Sequence, residues 1–392
     1  MLWLRQMRVA IVLTDNREDR RLYHLPKPVF GPAPEALLQG FAELGEPEIH
    51  IISCLQKPVQ PYERLAPNIH YHALHVPKIG WMRTAYQGCI RAVRRKLREV
   101  QPEIVHGQGT ERECALSAVL SGLPNVVTLH GLMAEVVRVL RAGPGSFYWF
   151  SALFERFALR RAGGVLCNSN YTETFGRRYA RRTWRVPNAI RRVFFDLPKQ
   201  PAVRPGSRCR LLNVGTVYGP KQQLELLQLC RRLRNTGLAF ELDFVGECNA
   251  GDLYGAKFLG EIESLKTSGW VAYHGAKFGQ EVVSFYDNAS ALVHVPNTES
   301  FGLVVAEALA RNLKLFAFRV GGIPDIAEDV EGAELIAEGD WAELARRITG
   351  WIKAGCPQPQ TAAAVMRQRY HPIEIARRHI EIYRQVIAQP RP

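Results

Sequence analysis

Twice along this chain, short runs of apolar residues alternate with longer amphipathic stretches, and that alternation implies parallel sheets flanked by helices. In the first half, residues 8–14 (RVAIVLT) and 49–54 read as strands, with a helix over 36–44 that closes at Gly45. Residues 81–100 read as one helix. It would place Trp81, Ala85, Cys89, Val93, Leu97 and Val100 on one face and Arg83, Arg91, Arg94, Arg95 and Arg98 largely elsewhere. Strands follow at 104–106, 125–129 and 164–167, and the aromatic stretch GSFYWFSALFERFALRR lies between the last two. The second half repeats the pattern. Strands at 211–214, 239–245, 270–274, 291–295 and 313–318 alternate with helices at 221–235, 255–267, 279–288, 301–311 and 324–329. An amphipathic helix over 372–388 ends the chain's pattern. Between the halves, 198–208 (PKQPAVRPGSR) is rich in proline and lacks periodicity, as a linker does.

A length of 392 residues suits two domains of nearly equal size, and 47% hydrophobic with 22% charged residues is an ordinary globular composition. The eight cysteines stand singly with no Cys-x-x-Cys pair, which is the usage of a reducing compartment and gives no support to a zinc or disulfide framework. The start MLWLRQMRVAIVL is broken by Arg5 and Arg8 and has no small-residue cleavage site, and no apolar run reaches bilayer length. A cytoplasmic protein is expected. The net charge of +14 is uneven: 29 of the 51 basic residues but only 16 of the 37 acidic ones fall within residues 1–200. Such a field attracts anionic membranes, nucleic acids or acidic polymers, although solvated helix faces produce the same count. Nucleic acid is not expected as a partner, because no nucleic-acid-binding module is visible. A dinucleotide dehydrogenase is disfavoured too, since no G-x-G-x-x-G follows the first strand.

The segment most informative about chemistry is 295–312, VPNTESFGLVVAEALARN. A buried strand runs into a loop at Pro296, and a helix begins near Phe301 or Gly302 with Ser300 as its N-cap. The first amides of such a helix lack intrahelical partners and favour negative charge; at the carboxyl end of a parallel strand they bind phosphate. Gly302 removes a side chain from that approach. Glu299 precedes the helix and Glu307 lies inside it, roughly 8 Å along the axis from its start. One carboxylate can accept bonds from sugar hydroxyls and the other from a ribose. Taken separately, each also reads as an ordinary solvated glutamate. Glu307, however, sits in a nearly wholly apolar stretch, where an unpaired carboxylate is costly.

This segment resembles the E-x7-E motif of the retaining GT-B glycosyltransferases of family 4, and other elements follow in the family's order. NVGTVYGPKQQLELL looks like the opening strand and loop of the donor domain, which holds Gly215 and Thr216, with Lys221 matching the family's phosphate-binding lysine. FELDFVGE, ending at Gly246, looks like the next strand and turn; VGGIPDIAED matches the turn after the motif; VVTLHG carries His130 where the family has an active-site histidine; CNSNYTETF and RVPNAI look like the end of the acceptor domain. Two departures stand out. Thr216 occupies a position where the family usually has arginine, and the N-terminal glycine loop survives only as Gly31 between Phe30 and Pro32, with prolines that lack amide hydrogens.

The resemblance implies an α/β protein of GT-B fold, with two Rossmann-like doubly wound domains facing across a cleft. The acceptor domain would span 1–197, the linker 198–208 and the donor domain 209–368, with a C-terminal helix in 369–392 packing back toward the first domain. It implies a retaining, metal-independent hexosyl transfer from a UDP-, GDP- or ADP-sugar, the donor substrate being needed without any cofactor. The acceptor would be a hydroxyl of a sugar or lipid-linked molecule. His130, Lys221 and Glu299 would be catalytic. Gly31, Gly215, Thr216, Lys221, Gly246, Ser300, Phe301, Gly302, Leu303 and Glu307 would hold the nucleotide sugar. No Asp-x-Asp metal pair is present, and Lys221 with the helix amides can neutralise the leaving diphosphate. No carboxylate nucleophile stands out for a double displacement, so a same-face mechanism fits better. A non-catalytic nucleotide-sugar-binding protein is the alternative. The basic-aromatic stretches 78–98 and 147–161 add the expectation of peripheral docking on the inner face of an anionic membrane.

Overall fold

The computed structural model describes residues 6–198 and 209–388. The chain forms two compact units, one of Met1–Arg191 with Tyr370–Pro392 and one of Arg192–Arg369. The linker expected at 198–208 lies, beyond Pro198, outside the described residues.

The first unit is built on β1 (Arg8–Val12), β2 (Glu48–Leu55), β3 (Arg64–Ala66), β4 (Ile69–His75), β5 (Ile104–Gln108), β6 (Asn125–Leu129), β7 (Val165–Cys167) and β8 (Thr183–Arg185). Their order is β3-β4-β2-β1-β5-β6-β7-β8, parallel throughout except that β3 runs antiparallel to β4. The sheet therefore starts in its middle and winds outward both ways, the doubly wound pattern. Side chains alternate between its faces. Ile52 and Cys54 pack with Cys89, Val93 and Leu97 of the helix Gln87–Val100. Ile49 and Ile51 pack with Phe41 and Tyr383, from the helices Pro32–Leu44 and Pro372–Ile387, whose rings stack at 6.4 Å.

Three local readings need correction here. The helix expected over 81–100 begins only at Gln87. Ala85 and Tyr86 have φ of +48° and +60°, which no right-handed helix accommodates, and the buried Trp81 donates its Nε1–H to the Val76 carbonyl at 2.9 Å. The first strand stops at Val12 instead of Thr14, because Asp15 turns to cap the short helix Asn16–Asp19. The helix over 36–44 extends back to Pro32, with Gly31 at its N-cap. Proline suits that first turn, where its missing N–H costs nothing.

The second unit is built on β9 (Cys209–Val214), β10 (Phe240–Val245), β11 (Val271–Tyr273), β12 (Ala291–His294), β13 (Lys314–Phe318) and β14 (Ala333–Ile336). All are parallel, in the order β11-β10-β9-β12-β13-β14, so the winding reverses between β9 and β12. Crevices for ligands open at the carboxyl ends of strands at such a reversal. This unit begins at Arg192, earlier than the boundary expected after residue 197. The physical reason is local packing. Phe194 meets Tyr286 edge-on at 5.4 Å, and the Arg311 guanidinium donates to the carbonyls of Phe194 and Leu197 at 3.2 and 2.8 Å while chelating Asp287. No described helix is long and apolar enough to cross a membrane.

Candidate active site

The winding reversal of the second unit gathers three loops. The first follows β9. Gly215 donates its amide to the Val245 carbonyl at 2.9 Å, and a Cβ at Gly246 would run into the Gly215 backbone, so the absence of a side chain at Gly246 lets the two strand ends approach. Thr216 follows, exposed, its carbonyl accepting from Gln223 Nε2 at 3.0 Å. Lys221 ends the short 3-10 turn Gly219–Lys221, outside the helix expected from 221, which starts at Gln223. The second loop follows β12 and is stitched to the first: Asn297 donates its amide to the Pro220 carbonyl at 2.9 Å, and Gln222 Nε2 donates to the Val295 carbonyl at 2.9 Å.

Those stitches bring Lys221 and Glu299 into direct contact, an ion pair between side chains that are 17% and 15% exposed. His294, buried at the end of β12, completes the group with its Nε2 3.2 Å from Glu299 Oε2. Burial alone would raise the Glu299 carboxyl. Lys221 and His294 outweigh it and hold the group well below the usual carboxylate range. Burial would likewise lower Lys221, and the facing carboxylate reverses that. The third loop, after β13, fixes the Glu299 backbone. Gly322 donates its amide to the Glu299 carbonyl at 3.0 Å, and Gly321, at φ +55°, passes so close that any Cβ would strike that carbonyl.

The helix Leu303–Ala310 begins two residues later than the earlier of its two expected starts. Its N-cap is Gly302 at φ +101°, and among the described residues no side chain caps it. Ser300 is therefore not the N-cap, because the chain must take a left-handed turn that favours glycine immediately before the helix. Phe301 is buried, and Leu303 is the first helical residue. Glu307 then lies about 6 Å along the axis from that start. It is 5% exposed and accepts the Tyr286 hydroxyl at 3.0 Å, so the carboxylate is partnered inside its apolar helix.

His130 and Gly31 belong to the first unit. His130 stands just past the carboxyl end of β6, Nε2 2.6 Å from Gln108 Oε1 at the end of β5, and its carbonyl accepts from Asn168 Nδ2 at 3.2 Å. Burial pushes its pKa down to about 4, against a hydrogen bond with Asn188, so the ring is neutral near pH 7. Gly31 follows a loop anchored by a buried pair: Arg17 donates to Asp15 Oδ2 from Nε at 2.9 Å and from Nη2 at 2.7 Å, and the Tyr71 hydroxyl donates to the same oxygen at 2.7 Å.

His294, Tyr286 and Gly321 escaped the sequence reading. His294 and Tyr286 lay within the run matched to the family and Gly321 within the VGGIPD turn, but nothing local marks which side chain each would meet.

Two family models match the chain, glycosyl transferases group 1 over residues 198–368 and glycosyltransferase family 4 over residues 35–192. Among curated proteins, sulfoquinovosyl transferase SQD2 of Arabidopsis thaliana is 29% identical over 163 residues, 41% of this chain and 27% of that one. D-inositol 3-phosphate glycosyltransferase of Nocardioides sp. is 31% identical over 118 residues, 29% of this chain and 25% of that one. The matched segments thus span about a quarter of either relative. Among solved structures, sucrose-phosphate synthase from Thermosynechococcus elongatus aligns with TM-score 0.73 at 16% identity, covering 98% of this chain and 100% of that one. Anabaena HepE in complex with UDP and glucose aligns with TM-score 0.70 at 15% identity, covering 96% and 99%.

Proposed function

On the premise that the chain belongs to the glycosyl transferases group 1, with the GT-B fold, we propose that it moves a sugar from a nucleoside diphosphate to a hydroxyl acceptor with retention at the anomeric carbon. The observation that carries this reading is the Lys221–Glu299 ion pair, set beside a helix start that no side chain of the described residues caps. Lys221 and the first amides of that helix are suited to a diphosphate, Glu299 to the sugar hydroxyls and Glu307 to the ribose. UDP-sugars are the first donors to test, because HepE was solved with UDP and glucose.

In the same-face step the bond from the anomeric carbon to the leaving phosphate oxygen breaks. The acceptor oxygen bonds to the same face of that carbon, and its proton passes to the departing phosphate. The negative charge growing on the diphosphate is what Lys221 stabilises, and that stabilisation accounts for most of the barrier lowering asked of the site. His130, neutral near pH 7, serves as a hydrogen-bond partner for substrate and not as a cation. No step requires a metal. Incubation of the protein with UDP-, GDP- and ADP-sugars, read by calorimetry for binding and by anomeric NMR for product, tests the proposal. Product of inverted configuration overturns the mechanism, and donor binding without turnover on any sugar or lipid acceptor favours the non-catalytic alternative.

The first unit also carries a surface suited to an anionic membrane and hence to a lipid-linked acceptor. Ile79 (74% exposed), Leu140, Phe147, Tyr148, Leu153 and Phe157 are all exposed. Lys78, Ile79, Arg83 and Phe147 line one shallow cavity, and the Arg161 guanidinium lies 4.5 Å from the Phe157 ring centroid. Apolar side chains that insert, flanked by cations that meet phosphate, are the two components of interfacial binding.

A further inference from the structure

Strands β2 and β4 run parallel in register, with His50 opposite His70 and Ile52 opposite His72. Period-two alternation sends Glu48, His50, His70 and His72 to the same face of the sheet, the one covered by the helix Gln87–Val100. There they form a compact group. His50 Nε2 is 2.9 Å from Glu48 Oε1, and His70 Nε2 is 4.0 Å from the same oxygen. The His50 and His70 rings stack at 4.8 Å between centroids and 11° between planes. On its other side, His50 Nδ1 is 2.9 Å from His72 Nε2. The second carboxylate oxygen of Glu48 is taken by Arg8 Nε at 3.1 Å, which leaves Oε1 for the histidines.

We propose that Glu48, His50 and His70 form a binding site for a divalent transition ion of the zinc class, closed by solvent in the fourth position. The three donor atoms lie within 4.8 Å of one another, the one such group of three among the described residues. A tetrahedral ion with bonds of about 2.0–2.1 Å needs its donors roughly 3.3 Å apart. The group reaches that by opening the Glu48–His50 contact slightly and drawing His70 in, a rotamer adjustment for a ring that is 27% exposed. Two imidazoles and one carboxylate suit zinc, cobalt or nickel and not the all-oxygen shells of magnesium or calcium. His72 would accept the Nδ1–H of His50, fixing the tautomer that leaves Nε2 free for the ion, as outer partners of metal-bound histidines do.

The position assigns the ion a role. The group sits at the amino ends of β2 and β4, next to Arg8, whose Nη1 donates to the Val100 carbonyl at the end of the covering helix. Chemistry in doubly wound domains occurs at the opposite, carboxyl ends. The ion would clip two neighbouring strands together and raise stability without taking part in transfer.

The test uses the full-length protein stripped with chelator and then titrated with Zn²⁺ or Co²⁺ alone. One equivalent should bind, raise the thermal midpoint and, for Co²⁺, give the visible ligand-field bands of a four-coordinate nitrogen–oxygen site without thiolate charge transfer. His70→Gln, at a part-exposed position that should not disturb folding, should abolish the bands and the midpoint rise. His72→Gln should weaken binding about 10–100-fold, as loss of an outer partner does. His75→Gln, at the exposed end of β4, should change neither. Failure of the stripped protein to bind either ion, binding that survives His70→Gln, or cobalt bands dominated by thiolate charge transfer would each overturn the assignment.

Discussion

Replacing Lys221 by methionine keeps the length of the side chain and removes its charge, leaving Glu299 hydrogen-bonded to His294. Stranding one member of a buried ion pair costs about 3–5 kcal/mol. His294 keeps its hydrogen bond and the pair retains slight exposure, so the expected loss at pH 8 is the smaller figure of about 2–3 kcal/mol. For a unit of this size, 1 kcal/mol moves the midpoint about 2–4 °C, which gives a fall of roughly 4–12 °C by calorimetry. The pH dependence identifies the cause. In the parent, the depressed Glu299 pKa contributes stability that is fully present above the unfolded value and is lost only as pH falls through the folded one. In Lys221→Met burial is opposed only by the weaker His294 contact and the carboxyl rises, so acid relieves the variant by protonating Glu299 or His294. The gap between the two proteins should therefore be widest at pH 8 and narrow toward pH 5. Adding Glu299→Gln should recover part of the loss, since the stranded charge is then gone. An unchanged midpoint at pH 8, or a gap that widens in acid, would refute the reasoning.

Glu299→Ala releases Lys221 from its partner, so nucleoside diphosphate affinity should hold or rise while transfer falls, whereas Lys221→Met should weaken the free nucleotide as well; equal losses in calorimetric titrations would contradict that division. Glu307→Gln can still accept the Tyr286 hydroxyl, so the midpoint should stay nearly constant while donor affinity drops about tenfold, the difference between a charge-assisted and a neutral bond. His379, stacked near His106, has its pKa pushed down to about 4 by burial. The stability it contributes is full above about pH 6.5 and is lost toward pH 4, at most about 1.4 kcal/mol per pH unit. The deficit of His379→Gln measured by chemical denaturation should accordingly shrink as pH falls through that window. Sedimentation with anionic vesicles should fade as salt rises, and fail with neutral lipid; no binding at low salt would remove the membrane surface.

What could be read from the sequence follows from how strands and loops advertise themselves. β1, β6, β9, β12 and β13 are covered on both faces, so they appear as continuous Val, Ile, Leu and Phe runs. β4 reads IHYHALH because one of its faces carries the histidine group, and that polarity hid it; β8 (TWR) and β14 (AELI) mix polar with apolar residues and form no apolar run. The false start of the Gln87 helix came from Trp81 and Ala85, which continue the apolar period by chance while left-handed torsions at Ala85 and Tyr86 break it. No residue type announces a left-handed alanine or tyrosine. At the site, Glu299 and Glu307 stood out because eight positions join them along one segment. The contact of Lys221 with Glu299 spans 78 residues and exists only because two loops meet at the winding reversal. Spacing reveals carboxylates along one segment; it does not reveal which charges meet where two loops converge.

The first unit is assembled from both ends of the chain, residues 1–191 and 370–392, and the second is an uninterrupted stretch between them. On the ribosome this sets an order. Residues 192–369 emerge ahead of the helix Pro372–Ile387 and can close around their own six strands, whereas His106 stays without its Nδ1 partner until that helix arrives, because the partner, 2.6 Å away, is the Tyr383 hydroxyl. Until residues 372–387 emerge the chain therefore carries an uncovered apolar patch of Ile49 and Ile51 on the sheet and Phe41 on the helix beside it, awaiting Ile375, Ile380 and Tyr383. A stalled or clipped chain that lacks this helix exposes that patch, while the segment carrying Lys221 and Glu299 is already complete, so quality control would meet a half-finished molecule in which the Lys221–Glu299 pair is already formed.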